Sequence, residues 1–152
     1  SKEFIPLELE LEIIEKYLTT QKMRFEDRFD FKLNIDELLV EKQALIPPMI
    51  TQPFIENAIW HGIMKKEGEK TINLTIKEDK GNVLCIVLDN GIGINKAKEL
   101  SHMSQKRKFF GAEATENRIR MLYQNKDVHI VTKDISSNTT TGTQVSIKFP
   151  LL

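Results

Sequence analysis

One cysteine stands in the whole chain of 152 residues, so no internal disulfide can form and no CxxC pair exists for zinc or redox exchange. Cys85 lies in the apolar stretch Val83-Leu84-Cys85-Ile86-Val87-Leu88 and reads as a small buried hydrophobe. No uninterrupted apolar run is longer than that one, far short of the roughly 20 residues that cross a bilayer. A charged-then-apolar leader is also missing, so a reducing, cytoplasmic setting is expected. Charge of one sign is lacking too: Lys plus Arg is 22 and Asp plus Glu is 22. This balance excludes the general electrostatic attraction of a nucleic-acid or acidic-membrane binder. An anionic ligand has to be held by a local site. The three histidines form no HExxH, no GxSxG frames a nucleophile, and Gly68-Glu69-Lys70-Thr71 lacks the spacing of a phosphate-binding Walker loop. Gly91-Ile92-Gly93 begins a dinucleotide fingerprint, but Lys96 stands where its last glycine belongs.

What is present suits one soluble domain: 40% apolar and 29% charged residues. The first 24 residues read as a helix, with Leu7, Leu11, Ile14 and Leu18 forming a narrow seam. That seam suits either the chain's own sheet or a partner helix outside it. Phe29, Phe31, Leu33 and Ile35 alternate as a half-buried strand. A helical period follows from Met49 to Ile63, its regular part expected to begin near Pro53. Thr71 to Lys77 and Val83 to Leu88 form a hairpin about Lys80-Gly81-Asn82. After Asp89 the periodicity lapses as far as Lys108, the mark of a functional or mobile loop. A helix resumes from Ala112 to Gln124 with Ala114, Ile119 and Leu122 inward. Strands Val128 to Lys133 and Thr143 to Phe149 close the chain. Strands paired without intervening helices exclude a doubly wound layout and predict an α+β fold. The expected architecture is a two-layer sandwich, with a mixed, mostly antiparallel sheet and helices on one face.

Three segments are unusual for their setting. In Glu56-Asn57-Ala58-Ile59-Trp60-His61-Gly62, Asn57 and His61 fall one helical turn apart, and a mid-helix amide among apolar residues calls for a partner. Asp89-Asn90-Gly91-Ile92-Gly93-Ile94 directly follows the most apolar strand. Thr139-Thr140-Thr141-Gly142-Thr143 leads into the last strand. Each alone is an ordinary surface amide or turn. In this order they resemble the ATP-binding domain of sensor histidine kinases, of the superfamily that includes gyrase and MutL and carries the Bergerat fold. Pro47 to Ile63 looks like the N box of the LytS-like kinases in particular, and Glu8 to Phe25 like that family's link between phosphoacceptor helix and ATP domain. The resemblance covers nearly the whole chain.

It implies a trailing helix of the dimerisation and phosphoacceptor region over 1–24 and an ATP-binding domain over 25–152. It also implies roles for Asn57, His61, Asp89, Gly91, Gly93, Gly111 and Thr143 at the nucleotide. Asp89 would accept a hydrogen bond from the adenine amino group, and Thr143 would place a hydroxyl nearby. Gly91 and Gly93 would let the backbone pass close to the base. Asn57 would give its amide oxygen to Mg²⁺, and the helix after Gly111 its N-terminal amides to phosphate. Residues 95–110 become a lid, where Lys106, Arg107 and Lys108 would meet phosphates or simply face solvent.

Two positions depart from the family pattern: Trp60 stands where lysine is common and Phe109 where a glycine belongs. None of His61, His102 and His129 resembles the phosphoacceptor. The resemblance therefore implies the catalytic, ATP-binding piece of a membrane-anchored two-component kinase, without direct membrane or nucleic-acid contact. Its expected partners are its own upstream phosphoacceptor helix, a second copy in a homodimer and a response regulator. Pro53 occupies the place of the glutamate carried by hydrolysing superfamily members, so little intrinsic ATP hydrolysis is expected. Trp60 and Phe109 leave room for a degenerate, non-catalytic signalling module, with a hydrolysing ATPase as a third reading.

Overall fold

Alternation dominates the centre of the computed structural model, which describes residues 3–103, 111–124 and 127–152. Strands β4 (Thr71–Asp79) and β5 (Asn82–Asp89) pair as a hairpin across Lys80 and Gly81, at φ 50° and 82°. Two successive positive φ values give the tight turn whose twist matches that of the flanking strands. Strands β2 (Asp30–Ile35), β6 (His129–Asp134) and β7 (Thr143–Pro150) complete a sheet in the order β2-β4-β5-β7-β6. The β2–β4 pair is parallel and the other three pairs are antiparallel. This is the mixed, mostly antiparallel sheet that the strand pattern predicts.

Register decides what faces inward. Cys85 lies opposite Ile76 on one side and Ile147 on the other, and Val87 lies between Leu74 and Val145. These residues are buried and form the floor of the core. The same row ends at Asp89, opposite Ile72 and Thr143. Strand alternation therefore carries a carboxylate and a hydroxyl to the buried face at one end of the sheet.

Helix α1 (Leu7–Arg24) packs on this core through Leu7, Ile14 and Leu18. Each fully buried aliphatic of this kind contributes about 1.5–3 kcal/mol. The seam is thus filled from within the chain, the first of its two readings. The helix does not start at residue 1, however. Ile5–Pro6 (β1) pairs antiparallel with Leu45–Ile46 (β3), and the Leu7 N–H donates to the Ala44 carbonyl at 2.8 Å. A two-residue ladder has no periodicity to read, and neither has the short helix α2 (Glu37–Glu41), capped by the Asp36 side chain.

The helix expected from Met49 to Ile63 is three pieces. Regular helix α3 spans Gln52–Asn57, with Pro53 in its first turn. It widens into a π-helical turn, Ala58–Gly62, and tightens into a 3-10 turn, Ile63–Lys65. The stretch expected to be aperiodic contains helix α4 (Ile94–Met103), with Ala97 buried. Helix α5 (Ala112–Leu122) turns Ile119 inward and leaves Leu122 half-buried. Ala114 is exposed, contrary to its expected inward position, because the buried stripe passes through Ala112 and Ile119. Among the described residues, no helix is long and apolar enough to cross a membrane.

Candidate functional site

A cavity of about 260 Å³ opens where the buried row of the sheet ends. Its floor is Val87, Asp89, Thr143 and Val145, with Ile130 and Thr132 from β6 beside them. One wall is α3 and the π turn, which present Phe54, Asn57, Ala58, His61 and Gly62. The opposite wall is Gly93, Ile94, Ala97 and Lys98 of the α4 approach, together with Gly111 and Ala112 at the start of α5. Single π-helical turns inside α-helices recur at functional sites, and here one carries His61 to the cavity four residues after Asn57.

Asp89 is 6% exposed and its Oδ1 accepts the Gly91 N–H at 2.8 Å. Burial pushes its carboxyl up to about 7, against the pull of the Gly91 and Thr143 backbone N–H groups. Asp134 adds to the rise and Lys66 opposes it. Two glycines make this approach possible. A Cβ on Gly62 would stand 3.1 Å from Asp89 Oδ1, and one on Gly91 would stand 2.3 Å from the Gly62 carbonyl carbon. The Ile92 N–H closes the contact on the Gly62 oxygen at 3.3 Å. Behind it, the Asn90 side chain accepts the Thr71 N–H at 2.8 Å and donates to the Glu69 carbonyl at 3.0 Å. The Asp89 turn is thereby fixed to both the π turn and β4.

Of the sequence-derived site residues, Asn57, His61, Asp89, Gly93, Gly111 and Thr143 line this one cavity. Gly91 does not; it lies beneath the wall, against Gly62. Lys106, Arg107, Lys108 and Phe109 fall outside the described residues. Sequence reasoning missed Lys98 and the apolar lining of Phe54, Val87, Ile94, Ala97, Ile130 and Val145. The spacing of Ile94, Ala97 and Lys98 on one face of α4 was the available signal.

Among the described residues, no three or more His, Cys, Asp or Glu are grouped to hold a metal ion. The donor set suits instead a hard cation that arrives already bound to an anion, keeps most of its waters and takes one oxygen from the wall. Asn57 lines the wall of this cavity with a side chain that carries an amide oxygen.

No family model matches the chain. It is 32% identical over 157 aligned residues to the sensor protein LytS of Bacillus subtilis, covering 97% of this chain and 25% of that protein. The chain is a homologue of LytS-type sensor histidine kinases. It spans 34% and 16% of the length of the first two curated relatives it matches. The catalytic domain of the histidine kinase ThkA superposes with a TM-score of 0.58 at 15% identity, over 97% of this chain and 94% of that one. ThkA in complex with the response regulator TrrA gives 0.60 at 14% identity, over 97% and 41%. These likenesses establish a shared fold with histidine kinase catalytic domains.

Trp60, one of the two departures from the pattern that the resemblance implies, lies outside this cavity. Its ring meets Phe25 edge-on with centroids 5.0 Å apart, and the Arg24 guanidinium lies 5.2 Å from its centroid. Trp60 thus packs on the end of α1 rather than lining the cavity.

Proposed function

We propose that this chain binds ATP with Mg²⁺ and is the catalytic part of a two-component sensor kinase, presenting the γ-phosphate to a histidine that lies upstream. The observation that carries the reading is the convergence of Asn57, His61, Asp89, Gly93, Gly111 and Thr143 on one cavity, in a homologue of LytS. Asp89 accepts a hydrogen bond from the adenine amino group; guanine, with a carbonyl oxygen there, would set two acceptors against each other. Thr143 adds a hydroxyl beside the base. Asn57 holds Mg²⁺ through its amide oxygen, and the bound ion neutralises phosphate charge. The α5 N-terminal amides and Lys98 take phosphate oxygens. Phosphoryl transfer asks little covalent chemistry of the protein, so positioning is its main contribution.

By the same reading, residues 1–24 lead from the phosphoacceptor region upstream into the ATP-binding domain, whose core α1 shares. The full kinase is a homodimer anchored in the membrane that passes its phosphoryl group to a response regulator. Pro53 leaves no carboxylate one turn before Asn57, so steady ATP hydrolysis by this chain is expected to be negligible. Calorimetric titration with Mg·ATP tests the proposal. Binding is expected at submillimolar concentration, weakened by roughly tenfold or more in Asp89→Asn. Folded protein that takes up no nucleotide at millimolar concentration, or an Asp89→Asn variant with unchanged affinity, would sink it.

A further inference from the structure

Two carboxylates are buried among the described residues: Asp89, in the cavity, and Glu10, outside it. Glu10 sits on α1 in the stripe of Leu7, Ile14 and Leu18, a place where an apolar side chain would be cheaper to bury. Its Oε2 accepts the Ile50 N–H at 3.3 Å. Burial raises its carboxyl, while the Met49 and Ile50 backbone N–H groups and the Arg118 charge pull it back toward the ionised form. The turn it grips is a constrained one. Met49 holds a left-handed φ of 58° directly after two prolines. From α5, Arg118 reaches the Pro48 carbonyl at 3.5 Å. The next residue, Thr51, receives the Phe54 and Ile55 N–H groups on its carbonyl at 3.1 and 3.0 Å and so launches α3. Asn57 is the last residue of that helix, and Phe54 and Ile55 between them are buried.

We infer that Glu10 is a positioning residue: its carboxylate fixes the 48–51 turn to α1 and thereby sets where Asn57 stands in the cavity. Arg118 ties the same turn to the helix whose first residue, Ala112, lines the opposite wall. A displacement of α1 is therefore delivered to both walls through one turn. Movement of an upstream helix would reach the nucleotide by this route without touching it. For its effect on affinity the inference rests on the nucleotide reading; for the geometry of Asn57 it does not.

The test compares three variants of this chain. Glu10→Met removes the acceptor at similar volume, Glu10→Gln keeps an acceptor oxygen at the same reach, and Glu10→Asp keeps the charge but withdraws it from Ile50. The readouts are the side-chain amide resonance of Asn57 in ligand-free protein and the dissociation constant for Mg·ATP, both well below the unfolding temperature. Glu10→Met and Glu10→Asp are expected to move the Asn57 resonance and weaken Mg·ATP by about fivefold, while Glu10→Gln restores both. A merely structural role would lower the melting temperature and leave both readouts in place. Should Glu10→Met not fold, Glu10→Asp decides alone. An unmoved Asn57 resonance in folded Glu10→Asp overturns the inference, and so does a Glu10→Gln variant displaced as far as Glu10→Met. Wild-type protein that fails to bind Mg·ATP defeats the nucleotide reading, and the ligand-free resonance still judges Glu10.

Discussion

Burial holds the Asp89 carboxyl near 7, so folded protein keeps a proton that the unfolded chain has already released. Its contribution to stability is therefore greatest below the ordinary carboxylate range, falls as the pH rises from about 4 to about 7, and levels off above that. The loss expected from this group between about pH 5 and about pH 8 is roughly 2.5 kcal/mol, read from urea unfolding at each pH. Asp89→Asn flattens that slope, though Glu10, also raised by burial, leaves part of it. On the proposed reading nucleotide affinity runs the other way, because the ionised form is the better acceptor for an amino group. An equal slope in wild type and Asp89→Asn would show that Asp89 does not titrate in this range. The glycines beside it separate in the same manner. Gly91→Ala drives a methyl group into the Gly62 backbone and is expected to destabilise by about 3 kcal/mol. Among the described residues a Cβ at Gly111 meets nothing within 4 Å, so Gly111→Ala should leave the stability within about 0.5 kcal/mol of wild type.

Helix α4 depends on a side chain from another element. Asp134, at the end of β6, accepts the Asn95 N–H on Oδ2 at 3.0 Å and the Ser136 N–H on Oδ1 at 2.9 Å. It caps the helix from across the cavity rim, beside Gly93 at φ 92°, where a Cβ would stand 2.6 Å from that same oxygen. Asp134→Ala is expected to speed hydrogen exchange of the first amides of α4, Asn95 foremost, by roughly fivefold, a loss of about 1 kcal/mol. Unchanged exchange at Asn95 would mean that the helix start is held by other contacts. This arrangement also explains why α4 was illegible in the sequence. Ile94 to Met103 is no more apolar than the chain as a whole, and the cap that starts it comes from residue 134 rather than from the local chain. The π turn was hidden for a related reason: residues 58–62 keep a helical apolar period, and the contact of Gly62 with the Asp89–Ile92 turn is made with residues distant in the chain. By contrast the β4–β5 hairpin was plain, because alternation and its turn residues are both local. The candidate site was legible wherever a residue type is unusual for its setting, as at Asn57 and Asp89. It was not legible at Lys98, an ordinary residue on a helix that had not been recognised.

Across the whole molecule, α1 is structural rather than appended. Leu7, Ile14 and Leu18 are each at most 2% exposed in the same core as β4, β5 and β7. Their removal together forfeits about 5–9 kcal/mol of burial, comparable with the entire stability of a small domain. A chain beginning at Phe25 is expected to lose its cooperative thermal transition and to bind a hydrophobic dye, as expanded states do; a sharp melt would show that the sheet and remaining helices suffice. Thr143, meanwhile, belongs to the last strand in the chain, yet β7 lies inside the sheet, hydrogen-bonded to both β5 and β6. Synthesis therefore delivers the β7 part of the cavity's floor, Thr143 and Val145, after the rest of its lining, and pairing residues 89 and 143 closes a long loop, a slow step in folding. A nascent chain held short of β7 has the hairpin, the π turn and both glycines, but no finished place for a ligand. On the proposed reading, nucleotide would then act as a late proofreader, stabilising only molecules in which β7 has been threaded into the middle of the sheet.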